Sequence, residues 1–172
     1  ITNKKSIEAA NSIFPYFVNI NELQTLASKR ISKKLNSEAT LITASAAGAL
    51  TESVAAMITG NNLKKIYNLP NTRGMKNGVL IQKGHLTNYG AEVGQGIKLS
   101  GAKIISCGMK KFCSENILIK TLKKNKHKLV CAMYVVSHHC SDYNAISLER
   151  FTKICKKYRV PIIIDAASEE YM

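Results

Sequence analysis

Between Val160 and Asp165 the chain reads Val-Pro-Ile-Ile-Ile-Asp. Consecutive β-branched residues favour a pleated, buried strand, and Pro161, which lacks a backbone donor, belongs at the start of one. The run then stops on a carboxylate. In open parallel α/β sheets the ligand crevice lies just outside the C-terminal ends of the strands, so Asp165 stands where a side chain meets a ligand. An aspartate here can equally cap the next turn, and the remainder of the chain has to decide between the two.

Upstream, strand-like and helix-like patterns alternate. A weakly helical stretch, 4–17, is interrupted by Pro15. Asn19 followed by Glu22 resembles a capping box, and Leu23, Leu26, Ala27, Ile31 and Leu35 recur at helical spacing, which predicts a helix over 20–35. Residues 39–42 read as a short buried strand, followed by a helix that stops at Gly60. The stretch 61–77 reads as irregular. Strands are then expected at 79–82, 102–106 and 129–136, with helices at 88–99, 114–124 and 147–158 between them. Repeated β-α units with short connections make a three-layer α/β/α fold with a mostly parallel sheet and right-handed crossovers. No linker or internal repeat divides the sequence, so all of residues 1–172 are expected in one domain or the larger part of one.

Several ligand-type groups fall at the predicted C-terminal strand ends. Thr43-Ala-Ser-Ala-Ala-Gly consists of small residues leading into a helix, an arrangement that presents bare amides to an anion such as a phosphate. A tightly packed βα turn needs small residues for the same steric reason, and the motif has neither a Walker lysine nor spaced dinucleotide glycines. His85 and the Ser137–His138 corner share that predicted edge with Asp165. In the turn-rich stretch 69–77, Arg73 and Lys76 supply two cations for a substrate anion. The Ser137-His-His-Cys140 cluster does not read as a metal site, because consecutive residues in an extended turn diverge and no second ligand pair follows at a useful spacing.

The formal net charge of +14 raises nucleic acid as a partner, but the lysines are scattered and fall mostly late in the predicted helices, where the helix dipole favours them. Five cysteines, without a C-x-x-C pair, argue against a disulfide framework and for a reducing, cytoplasmic setting. No apolar run reaches membrane-span length, and the first residues do not read as a signal peptide. A first residue that is not methionine, and an end shortly after a strand, suggest a piece of a longer protein.

Taken together, Thr43-Ala-Ser-Ala-Ala-Gly-Ala-Leu50, Leu69-Pro-Asn-Thr-Arg-Gly-Met-Lys-Asn77, Gln82-Lys-Gly-His85, Gly101–Ala102 and Val160-Pro-Ile-Ile-Ile-Asp-Ala-Ala167 resemble the pyridoxal-phosphate enzymes related to selenocysteine synthase, in particular the D-glucosaminate-6-phosphate ammonia-lyase branch. The resemblance implies a fold-type-I, aspartate-aminotransferase-like large domain, incomplete at its C-terminal side, and a homodimer or higher homo-oligomer. It implies pyridoxal 5'-phosphate as cofactor, with its phosphate on Ser45, Ala46 and Ala47, His85 stacked on the ring, Ser137 or His138 donating to the ring hydroxyl, and Asp165 paired with the ring nitrogen. Arg73 and Lys76 become substrate-anion ligands. The family's Schiff-base lysine lies beyond the aspartate, on a segment outside these residues, and Asn71 stands where the family pattern has an acidic residue.

The function so implied is a lyase that removes ammonia from an amino sugar phosphate or a related amino acid. A selenocysteine-synthase-like transferase acting on aminoacyl-tRNA would make use of the basic charge, and a non-catalytic remnant of the same fold is a third reading.

Overall fold

The computed structural model describes residues 2–140 and 144–168. The chain divides into two compact units, Ile1–Thr43 and Ala44–Met172.

The first unit holds two helices, α1 (Lys4–Ile13) and α2 (Ile20–Leu35). Asn3 caps α1 by accepting the Ser6 amide. Asn19 caps α2 by accepting the amides of Asn21 and Glu22, and Asn36 closes it in the left-handed conformation that asparagine tolerates better than most residues. The strand expected at 39–42 does not form. Its backbone groups are met by side chains of α2 instead: Gln24 Nε2 donates to Ile42 O at 2.8 Å and Ser28 Oγ accepts the Thr40 amide at 3.2 Å. With those groups satisfied, a strand partner is not required.

The second unit is a three-layer α/β/α sandwich, as its β-α alternation predicts. Four parallel strands, β1 (Gly78–Gln82), β2 (Lys103–Cys107), β3 (Leu129–Val135) and β4 (Ile162–Asp165), lie in the order β2-β1-β3-β4. Alternation along the central strands sends their side chains to opposite faces. Val79, Ile81, Cys131, Met133 and Val135 pack with Leu50, Val54 and Ile58 of α3 (Ala46–Thr59) and with Val93 and Ile97 of α5 (Val93–Leu99). On the other face Leu80 and Ala132 pack with Leu118 and Leu122 of α6 (Glu115–Asn125) and with Phe151 and Cys155 of α7 (Leu148–Lys157). α6 and α7 are also tied at the surface, where the Arg150 guanidinium donates to both oxygens of Glu115 at 2.6 and 2.9 Å.

Two helical expectations change. The stretch 61–77 contains a short helix, α4 (Leu63–Asn68), capped by Asn62. The helix expected from residue 88 begins only at Val93, because Asn88 Oδ1 takes the Gly90 amide and Gly90 has a φ of +90°, which turns the chain. Glycines then let α5 come close to its neighbours: a Cβ on Gly96 would lie 3.0 Å from Leu50 of α3, and one on Gly94 would lie 3.3 Å from Ile104 of β2.

A candidate cofactor cavity at the carboxyl edge of the sheet

The parallel strands all end at one edge, and a cavity of about 710 Å³ opens there between the start of α3, the 89–99 segment and the ends of β3 and β4. Ser45, Ala46 and Ala47 line it. Ser45 is the N-cap of α3: its Oγ accepts the Gly48 amide at 3.0 Å and its carbonyl accepts the Ala49 amide. Among the described residues the amides of Ala46 and Ala47 carry no hydrogen bond, so the positive end of a 14-residue helix is presented with two donors in place.

Asp165 lines the same cavity. β4 carries it there in register with Val135, and the ladder continues past the strand ends where the Val136 amide donates to Asp165 O at 2.8 Å. The carboxylate accepts the Ala167 amide at 3.2 Å through one oxygen. Glu52 and Glu92 also face the cavity, and among the described residues no lysine, arginine or histidine lines it. An anion at the helix start would meet amides and the helix dipole there.

His85, expected to stack on the ring, lies inside the fold. It is 1% exposed and does not line the cavity. The Val135 amide donates to its Nδ1 at 3.1 Å, the Gln82 amide group lies 3.2 Å from its Nε2, and Tyr134 meets the ring edge-on at 4.4 Å between centroids. Burial pulls its pKa down to about 4, so the imidazole is neutral near pH 7. Both ring nitrogens thus face protein groups, on the α6–α7 side of the sheet.

Ser137 and His138 follow β3 at the same edge without lining the cavity, and Ser137 Oγ accepts the His139 amide at 3.2 Å. Arg73 and Lys76 are exposed and precede β1, at the amino edge of the sheet, away from the cavity. Their loop is firmly built: Thr72 Oγ1 donates to Gly101 O at 2.7 Å and accepts from Asn77 at 2.8 Å. The wall that sequence reasoning missed is Tyr89, Glu92 and Gln95. A continuous helix over 88–99 hid it, although Asn88 and Gly90 are turn residues that could have shown the break.

In sequence the chain is 30% identical over 154 residues to D-glucosaminate-6-phosphate ammonia lyase of Salmonella typhimurium (strain 14028s / SGSC 2262), a match that covers 90% of this chain. In fold it matches a solved structure of D-glucosaminate-6-phosphate ammonia-lyase with a TM-score of 0.89 and 28% identity, over 98% of this chain and 45% of the other. The likeness to the D-glucosaminate-6-phosphate ammonia-lyase branch holds in both sequence and fold. A second relative, a 5'-C-glycyluridine monooxygenase-decarboxylase from Streptomyces sp, is 26% identical over 165 residues, 95% of this chain. No family model matches the chain. It spans 41% of the length of both curated relatives, and the two carry names of different reactions, so the shared lyase-like scaffold does not by itself fix the chemistry. No helix among the described residues is long and apolar enough to cross a membrane.

Proposed function

We propose that this chain forms part of a pyridoxal-phosphate-dependent lyase that removes ammonia from an amino sugar phosphate or a related amino acid. One observation carries the reading: the two open amides at the start of α3 and the carboxylate of Asp165 line a single cavity. The residues suit a flat ring bearing a phosphate. Ala46 and Ala47 bring donors without bulk to the anionic end, and Asp165 supplies a negative charge for a ring nitrogen. At Gly48 even a Cβ would press to 3.3 Å from Ser45 Oγ, so small residues at this turn serve the cap as well as the ligand.

In this role Ser45, Ala46 and Ala47 bind the phosphate, and Asp165 holds a proton on the ring nitrogen. The cofactor, when bound, acts as an electron sink for the pair left behind when a substrate Cα proton departs. Among the described residues no lysine lines the cavity, so an amine that tethers the cofactor would come from elsewhere. Similarity to the ammonia lyase over most of this chain supports the substrate class. The test is to supply pyridoxal phosphate to the full-length protein and measure ammonia released from D-glucosaminate 6-phosphate. Cofactor that survives dialysis and release that depends on it are expected; failure to retain cofactor overturns the proposal.

A further inference from the structure

The end of the β1–β3 ladder is completed by a side chain. Amides of Ala132 and Val136 in and after β3 point toward β4, donating to Pro161 O and Asp165 O, so by strand alternation the Val135 amide points the other way, toward β1. β1 has already left the sheet there: it ends at Gln82, and residues Lys83–His85 form a tight helical turn. The Nδ1 of His85 takes the place of the missing strand carbonyl and accepts the Val135 amide. Gln82 anchors the same turn, accepting the Ile146 amide at 3.0 Å, and Tyr134 donates its hydroxyl to Ile146 O at 3.1 Å.

Resting on the cofactor reading above, we infer that His85 is a positioning residue for Asp165: its imidazole fixes the end of β3, and β3 fixes the carboxylate that meets the cofactor ring. The route is short. Val135 is held by His85 on one side and is the register partner of Asp165 on the other, and Val136 donates to the Asp165 backbone carbonyl. Without an acceptor at Nδ1 the Val135 amide is buried and unpaired, which favours fraying of the last β3 residues and displacement of the carboxylate.

Two variants of the full-length protein test this. His85→Phe preserves a buried ring and removes the acceptor; His85→Gln offers an amide oxygen. Amide hydrogen exchange in the cofactor-free protein should show the Val135 amide exchanging at least about tenfold faster in His85→Phe than in the parent, a change equal to about 1.4 kcal/mol of local opening. In protein loaded with ¹⁵N-labelled pyridoxal phosphate, the ring-nitrogen shift should move toward that of Asp165→Asn in His85→Phe and return in His85→Gln. Unchanged Val135 exchange in His85→Phe overturns the inference, as does faster exchange with an unmoved ring nitrogen, which would make His85 purely structural. If the parent retains no cofactor the functional reading fails, and a positioning role toward a ring fails with it; exchange at Val135 then still reports whether the imidazole holds the strand.

Discussion

Asp165 and Val135 are register partners on adjacent parallel strands, and both line the cavity at the carboxyl edge of the sheet. The carboxylate is therefore placed by a backbone ladder rather than by a loop. Asp165→Asn keeps the shape and removes the charge, so it should lower ammonia release by the full-length protein on the order of 10²-fold or more while cofactor retention falls far less. Parallel measurements of kcat and of the pyridoxal phosphate Kd check this.

Ala46→Asp separates anion binding from folding. A carboxylate in the first turn of α3 suits the helix dipole and should leave stability unchanged or raise it by about 0.5 kcal/mol. The same charge repels a phosphate at the open amides. Pyridoxal phosphate affinity should fall at least about tenfold with no loss in thermal midpoint, as binding and melting curves would show.

His85 makes stability sensitive to acid. Its ordinary pKa of 6.5 applies to the unfolded chain and its folded value is about 4, so between them the unfolded chain holds more protons. This contribution is intact above pH 6.5 and is lost as pH falls toward 4, to a total of about 3 kcal/mol. Urea unfolding of the parent and of His85→Phe at several pH values in this window should show a steeper fall for the parent.

Gly101 and the loop before β1 fit together without room for a side chain. Gly101 has a φ of +84°, and a Cβ there would run into the carbonyl oxygen of Pro70. Gly101→Ala should cost about 2–4 kcal/mol by strain and collision together. Chemical denaturation measures it, and the loop carrying Arg73 and Lys76 should become more susceptible to proteolysis.

Phe151 tests the opposite face of the sheet. It is fully buried and meets Tyr134 edge-on at 5.3 Å between ring centroids. Phe151→Ala should destabilise by about 3–5 kcal/mol. A drop in urea midpoint with the denaturant slope unchanged would identify the loss as one of stability alone.

The sheet was legible because apolar runs such as 129–136 and 160–164 stop abruptly at Ser137 and Asp165, and the helices because their N-caps are spelled out by Asn19, Ser114 and Ser147. The amides at Ala46 and the carboxylate of Asp165 were legible for the same reason, since both follow from where an element starts or ends. The placement of His85 was not. Its distance from the end of β1 is a matter of three residues in a tight turn, and whether such a ring faces a cavity or completes a ladder depends on a β3 amide fifty residues away in the chain. Residues 39–42 misled for a related reason: an apolar pattern does not say whether hydrogen-bond partners come from a strand or from side chains such as Gln24 and Ser28.

Because Ser45 already satisfies the third and fourth amides of α3, the helix start is a two-pronged socket. On the proposed cofactor reading, two prongs would read the charge of a small head group and little of what hangs from it. Discrimination among molecules sharing that head group would then fall to the far wall around Tyr89, Glu92 and Gln95, which can diverge without disturbing the grip.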